Sequence, residues 1–86
     1  MGPCYYVYIF ADGSGASLFV GVTDDLFRRS EKYKYHSAQR LVYYETFGDQ
    51  YDARWRERCL KDWRREWKRE LIEEENPEWR DLSEEL

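Results

Sequence analysis

Three segments of the chain consist mostly of aromatic and β-branched side chains. The first, residues 5–10, contains no other residue type, and this pattern predicts a strand that is buried on both faces. Turn residues at 12–15 separate it from the second segment, residues 17–22, and so short a link predicts a β-hairpin. The third segment, residues 41–47, stops at Gly48 and predicts a third strand.

Polar residues with capping side chains precede two predicted helices. Thr23 or Asp24 can cap a helix that begins near Asp25 and ends near Tyr33, because a side-chain oxygen can accept a hydrogen bond from the first backbone N–H groups. Asp49 can cap a second helical segment in the same way.

The second helical segment covers residues 50–75 and ends before Asn76-Pro77. A break near Asp62 would let this side chain cap a further helix. Large apolar side chains recur at every fourth position of the segment, and this spacing predicts one stripe that faces the core. The stripe consists of Trp55, Cys59, Trp63, Trp67 and Leu71, with Leu60 and Ile72 beside it. Further along, Trp79 and Leu82 can anchor the polar C-terminal residues.

The order of these elements is strand, strand, helix, strand, helix, helix. It predicts an α/β (α+β) fold in which helices flank a small three-stranded antiparallel sheet. We expect one domain over residues 1–86, with residues 77–86 as an acidic C-terminal tail.

Composition narrows the expected functions. The 86 residues have a net charge of -4, which argues against a simple basic nucleic-acid binder. No apolar run approaches the ~18 residues of a membrane span, and the first residues show no export signal. We therefore expect a cytoplasmic protein without a membrane partner. Two cysteines are too few for a disulfide framework, so we expect Cys4 and Cys59 to be free, with a single bridge between them as the alternative.

The charge is unevenly distributed along the chain. Residues 26–70 carry 13 cationic and eight anionic side chains, whereas residues 71–86 carry one cationic and seven anionic side chains. A basic middle is compatible with a polyanionic partner. A helix surface of mixed charge explains the same pattern, and charge alone favours this second interpretation.

An ordered set of short motifs gives a more specific indication. The motifs are YVYIF at 6–10, LFVGVTDDLFRR at 18–29, RLVYYE at 40–45, the helical stretch at 52–67 and NPEWRDL at 76–82. In this order and at these spacings, the chain resembles the small stand-alone members of the GIY-YIG nuclease superfamily over nearly its whole length.

The resemblance implies an endonuclease that hydrolyses nucleic-acid phosphodiester bonds, with DNA as the expected substrate and one Mg²⁺ or Mn²⁺ ion as cofactor. It implies that Tyr8 acts as the base, that Arg29 stabilises charge on the phosphate and that Glu57 binds the metal. It also implies substrate contacts from Arg28, Phe19, Gly21, Tyr33 and Lys34.

Each of the three central residues also has a purely structural interpretation. Tyr8 is typical of an aromatic residue in a buried strand, and Arg29 is typical of a helix surface. Glu57 can form an ordinary ion pair with Lys61, one helical turn later. Only the joint match of the three positions to the family pattern favours the functional interpretation over the structural one.

Departures from the family pattern predict a weakened activity. Phe19 lacks the hydroxyl of the tyrosine that it replaces, and Tyr33 stands where the family often has a histidine, which is a better base near neutral pH. His36 lies nearby, in what we expect to be a loop. The short, cation-poor segment at 35–39 predicts moderate to weak nucleic-acid affinity. A catalytically inactive nucleic-acid-binding module, or a protein-interaction module that uses the acidic tail, is therefore the alternative.

Overall fold

The computed structural model describes residues 4–37 and 39–86, and within them three antiparallel strands form one sheet. Its order is β2-β1-β3. The strands are β1 (Tyr5–Ala11), β2 (Leu18–Thr23) and β3 (Arg40–Phe47). The helices are α1 (Leu26–Ser37), α2 (Gln50–Asp62) and α3 (Arg65–Glu75), followed by a 3₁₀ turn at Leu82–Glu85. The element order and the sheet confirm the predicted α+β fold.

A tight turn closes the hairpin of β1 and β2. One carboxylate oxygen of Asp12 accepts hydrogen bonds from the backbone N–H groups of Ser14 and Ala16, both at 3.1 Å. Gly15 has a φ of 73°, in the left-handed region that glycine adopts without a steric penalty. Because a hairpin turn sets the register of its strands, this turn determines that Gly21 lies opposite Tyr8.

Helices cover both faces of the central strand β1. Residues 7–10 are buried, as predicted, and so is Ala11, whereas Tyr5 and Tyr6 at the start of the predicted segment are only partly buried. Tyr8 and Phe10 pack on the face covered by α1, whereas Val7 and Ile9 pack on the opposite face against α2 and α3. Successive side chains of a strand point to opposite faces, so this one strand contributes to the core on both sides of the sheet.

The first helix, α1, is longer than the sequence predicts. It ends at Ser37, whereas we expected it to end near Tyr33. His36 therefore lies in the helix and not in a loop, so that prediction was wrong. Residues 34–37 contain neither glycine nor proline, and nothing in their sequence stops the helix earlier.

The predicted break in the C-terminal helical segment is confirmed. α2 ends at Asp62 and α3 begins at Arg65. We had predicted that Asp62 caps α3. This prediction was wrong, because Asp62 is the last residue of α2. Arg64 occupies the capping position and makes no side-chain capping hydrogen bond. The backbone N–H of Trp63 ends α2 by donating to two carbonyl groups of its last turn.

The predicted stripe of α2 and α3 is only partly buried, so the prediction that the whole stripe faces the core was wrong. Trp55 is 67% exposed and Trp67 is 50% exposed, while Leu60 and Ile72 are fully buried. Four residues turn a helix by about 400°, so a spacing of four drifts about 40° at each step and leaves the face that meets the sheet. Ala53 and Leu60, seven residues apart, share one face and are both buried.

The C-terminal residues pack onto the domain and do not form a free tail. Asn76 is buried, and its amide donates hydrogen bonds to the backbone carbonyl oxygens of Val42 at 3.1 Å and Arg80 at 2.9 Å. Trp79 and Leu82 pack against the core, so their predicted anchoring is confirmed. The acidic side chains of this segment are therefore attached to an ordered backbone.

Two further expectations concern the cysteines and the membrane. Cys4 and Cys59 are both free thiols, as we expected. No helix in the described part of the chain combines the length and the apolar character needed to cross a membrane.

Candidate active site

Tyr8 lies at the centre of the sheet, and the predicted site surrounds it. Its partners across the sheet are Gly21 of β2 and Tyr44 of β3. A Cβ atom at Gly21 would overlap the hydroxyl and the ring of Tyr8. Gly21, which the resemblance assigned to substrate binding, therefore has a packing role as well, because it leaves room for the Tyr8 side chain.

Two aromatic neighbours hold the ring of Tyr8. Phe10 meets it edge to face at 5.0 Å between ring centroids, and Tyr33 of α1 lies 6.4 Å away. Tyr33 also stacks on Phe10 at 4.4 Å and hydrogen-bonds to Tyr8. Because Tyr33 is one helical turn after Arg29, α1 directs both residues towards the same side of the sheet.

Arg29 and Glu57 both influence the ionisation of the Tyr8 hydroxyl. Burial, the largest effect, and then the neighbouring Tyr33 raise the pKa of Tyr8 to about 12. The positive charge of Arg29 opposes this increase in pKa, and the negative charge of Glu57 adds to it. The hydroxyl is therefore protonated at neutral pH. Residues from α1 and α2 thus act on one buried group of β1.

Arg29 lines an open cleft of about 640 Å³ at the start of α1. The lining residues are Thr23, Asp24, Asp25, Arg28, Arg29 and Lys32. Three cationic side chains face two carboxylates there, so the net charge of the lining is only slightly positive. Such a cleft can attract a phosphate group, but the aspartates reduce the attraction.

Asp25 caps α1 and thereby fixes the backbone that carries the two arginines. Its carboxylate accepts a hydrogen bond from the Arg28 backbone N–H at 3.1 Å. The Thr23 hydroxyl accepts one from the Asp25 backbone N–H at 3.1 Å, in the turn before the helix. The predicted caps, Thr23 and Asp24, were therefore misplaced, because the helix begins at Leu26 and leaves Asp25 at the capping position.

Glu57 lines a second open cleft, of about 530 Å³, beside α2. The lining residues are Val22, Arg54, Glu57, Arg58, Lys61 and Asp62. Glu57 forms an ion pair with Lys61 at 3.3 Å, which is the pairing that the structural interpretation predicts. In the described residues this carboxylate is thus engaged by a cation of its own helix.

The two clefts lie on either side of one sheet edge. Thr23 lines the Arg29 cleft and Val22 lines the Glu57 cleft, and successive strand residues point to opposite faces. β2 is an edge strand, so both clefts flank its free edge. Among the clefts formed by the described residues, Arg29 and Glu57 thus line different ones, although both lie close enough to Tyr8 to affect its pKa.

The remaining predicted contact residues are exposed, and only one of them lines either cleft. Phe19 is 43% exposed and lies two residues before Gly21, on the same face of β2. Arg28 is exposed and belongs to the lining of the Arg29 cleft. Lys34 is exposed on α1 and lines neither cleft.

Our sequence-based site omitted several cations that line the clefts. Lys32 follows Arg28 by one turn of α1. Arg54, Arg58 and Lys61 surround Glu57 on α2. Their spacing of four and three residues places them on one side of a helix, so the sequence contained the signal for this basic surface.

The resemblance implies a metal ion bound by Glu57, and the carboxylates near this residue can be compared with what such an ion requires. In the described part of the chain, no group of three or more His, Cys, Asp or Glu side chains is placed to hold a metal ion. Glu57 and Asp62 are the carboxylates in the second cleft. Mg²⁺ typically uses one or two carboxylates and completes its coordination with water and substrate phosphate. A magnesium ion in this cleft would therefore have at most these two carboxylates as protein ligands and would need water and a bound phosphate to complete its coordination.

A separate polar cluster attaches α2 to the sheet next to Glu57. Two nitrogens of the Arg56 guanidinium donate to the carboxylate of Glu45, both at 2.9 Å, and the Tyr43 hydroxyl donates to the same carboxylate. Burial raises the pKa of Glu45, but the hydrogen bonds from Arg56 and Tyr43 outweigh it and hold the pKa below its usual range. The cluster fixes the helix turn that carries Glu57.

No protein-family model, curated protein or solved structure matches this chain.

Proposed function

We propose that the chain is a slow, metal-dependent endonuclease of the GIY-YIG type that cleaves phosphodiester bonds in DNA. The observation that supports this function is the joint influence of Arg29 and Glu57 on the buried Tyr8 hydroxyl, from two different helices. These are the three residues to which the resemblance assigns phosphate, metal and base chemistry. The charges of Arg29 and Glu57 act on the Tyr8 hydroxyl because both side chains lie near it.

The substrate would lie across the free edge of β2. Arg29 is on one side of this edge and Glu57 on the other, so a phosphate near residues 21–23 could interact with both. The planar guanidinium of Arg29 would bind two phosphate oxygens, which a lysine cannot do. Asp24 and Asp25 stand in the same cleft, and their charge explains why we expect only moderate to weak affinity.

Tyr8 could accept a proton only as the phenolate, after its own hydroxyl proton has passed to solvent, so near neutral pH its pKa would have to fall first. With a pKa of about 12, roughly one hydroxyl in 10⁵ is ionised at pH 7. A bound Mg²⁺ would supply positive charge that stabilises anionic oxygens near Glu57. Arg29 already lowers the Tyr8 pKa, and a further cation near the site would lower it more. The activity is therefore expected to be slow and to increase with pH.

Cleavage assays with matched variants test this function. Purified protein is incubated with branched, single-stranded and duplex DNA in the presence of Mg²⁺ or Mn²⁺. Glu57→Ala is compared with Glu73→Ala, which removes an exposed carboxylate of α3 that lines neither cleft. We expect cleavage by the wild type and Glu73→Ala, and a loss of at least about 100-fold for Glu57→Ala. Equal rates for wild type and Glu57→Ala would refute the catalytic role.

A non-catalytic DNA-binding module is the second candidate. The ion pair of Glu57 with Lys61 and the neutral Tyr8 favour it, because both residues are occupied in structural roles. This candidate predicts salt-dependent DNA binding that weakens in Arg29→Ala, without cleavage under any metal condition. Binding measurements at low and high salt, made on the same preparations, separate it from the nuclease.

A further inference from the structure

A groove at the start of α3 has a character unlike that of the two basic clefts. It has a volume of about 360 Å³ and is lined by Trp63, Trp67, Glu70, Leu71 and Glu74. The rings of Trp63 and Trp67 are nearly perpendicular, at 85°, with centroids 6.2 Å apart. Two aromatic walls, one aliphatic side chain and two carboxylates thus surround one small space.

The carboxylates of this groove lack a compensating cation. Glu70 and Glu74 are one helical turn apart, an arrangement that destabilises a helix when both are charged. Neither forms an ion pair within the described residues. The last turn of α3 also contains no basic residue, although a helix C-terminus favours positive charge. A bound cation would relieve both unfavourable effects.

The two tryptophan rings already interact with cations of this chain. The Arg64 guanidinium lies over Trp67, 5.6 Å from the ring centre, and the Arg56 guanidinium lies over Trp63 at 5.1 Å. Neither arginine lines the groove. The two indole rings that line the groove therefore already take part in cation–π interactions.

We propose that this groove binds a lysine side chain of a partner polypeptide. The four methylene groups of lysine would pack on Leu71 and the indole rings, and the ammonium group would interact with Glu70 and Glu74. A volume of about 360 Å³ lies at the lower end of the range for ligand pockets, so it suits one side chain. Phosphate groups would be repelled by the carboxylates, so this site is independent of the proposed nuclease function.

Titration with a pair of matched peptides tests the proposal. The probes are short blocked peptides with a central lysine or a central norleucine, which lacks the charge, and the signals are the indole N–H resonances of the tryptophans. The lysine peptide should shift the resonances of Trp63 and Trp67 but not that of Trp55, which is exposed on α2 outside the groove. Equal shifts with norleucine, or equal shifts of Trp55, would overturn the proposal.

Variants of the groove give an independent readout. We expect Trp67→Ala to weaken lysine-peptide binding at least about 3-fold, and the double variant Glu70→Gln with Glu74→Gln to weaken it similarly. Trp55→Ala, the matched control, should stay within about 2-fold of the wild type. If Trp67→Ala fails to fold, the glutamine double variant decides, since it changes only exposed side chains. Wild-type affinity in that variant would overturn the proposal, and so would tighter binding of choline than of the lysine peptide.

Discussion

Replacement of Gly21 by alanine tests the packing at the centre of the candidate site. The new Cβ would lie 2.9 Å from Cε1 of the Tyr8 ring and closer still to the hydroxyl. Real Cβ atoms do not come this near to other heavy atoms, so either the Tyr8 side chain or strand β2 must move. Tyr8 has little freedom to move, because it is buried and packed between Phe10 and Tyr33.

The expected loss of stability follows from this overlap. Extra atoms forced into a well-packed core typically cost about 1–3 kcal/mol, and the usual gain from replacing a strand glycine offsets part of this, at about 0.5–1 kcal/mol. Because the overlap with Tyr8 is severe, the upper end of this cost applies, and we expect Gly21→Ala to lower the free energy of unfolding by about 2 kcal/mol. For a domain of this size, this corresponds to a fall in Tm of about 8–16 °C. Gly48→Ala is the control, because its Cβ would meet no atom within 4 Å.

A double-mutant cycle identifies the cause of the loss. Tyr8→Leu removes the hydroxyl and the ring atoms that the new Cβ would meet. If the overlap is responsible, urea denaturation should show that the double variant is at least about 1 kcal/mol more stable than the sum of the single effects predicts. Strictly additive effects, or a Gly21→Ala variant as stable as Gly48→Ala, would refute the conclusion that Gly21 leaves room for the Tyr8 side chain.

Three further predictions concern stability. The pKa of Tyr8 is raised in the folded state, so the contribution of this hydroxyl to the free energy of unfolding is complete below about pH 10 and is lost as the pH rises towards 12. Between about pH 9 and about pH 11, urea denaturation should therefore show a larger loss of stability for wild type than for Tyr8→Phe, and equal losses would contradict this. The pKa of Glu45 is lowered in the folded state, so the contribution of this carboxylate to the free energy of unfolding is lost as the pH falls below about 4.5. Glu45→Gln should therefore reduce the fall in stability on the acid side of a plot of stability against pH, and an unchanged slope would contradict the stabilising role of the Glu45–Arg56–Tyr43 cluster. Asn76→Ala removes three hydrogen bonds and should cost about 2–4 kcal/mol in urea denaturation; a cost below about 1 kcal/mol would contradict their importance.

The strands could be predicted from local sequence because their burial follows directly from residue type. Residues 5–10 combine aromatic and β-branched side chains without interruption, and a central strand covered on both faces buries residues 7–10 of this segment. The helical stripe could not be predicted as well, because residue type alone does not say which face of a helix meets the sheet. Trp55 and Leu60 lie on one helix, yet only the smaller residue is buried.

The electrostatics of the candidate site could not be predicted from the sequence. The resemblance implies roles for Tyr8, Arg29 and Glu57, whereas the raised pKa of Tyr8 depends on its burial and on Tyr33, which becomes its neighbour only in the folded chain. The bidentate pair of Glu45 with Arg56 joins residues of β3 and α2, and no local pattern indicates it. A pair of this kind forms only when α2 packs on the sheet and brings the two residues together.

The net charge of -4 conceals two surfaces of opposite character, and this separation makes the two proposals independently testable. The Arg29 cleft carries more cations than carboxylates, whereas Glu70 and Glu74 dominate the tryptophan groove. Added salt should weaken the binding of both DNA and lysine peptide, because each interaction is electrostatic in part. The variants should nevertheless act separately. Arg29→Ala should weaken DNA binding and leave lysine-peptide binding unchanged, and Trp67→Ala should do the reverse. A variant that weakened both would indicate a loss of folding rather than the loss of a site.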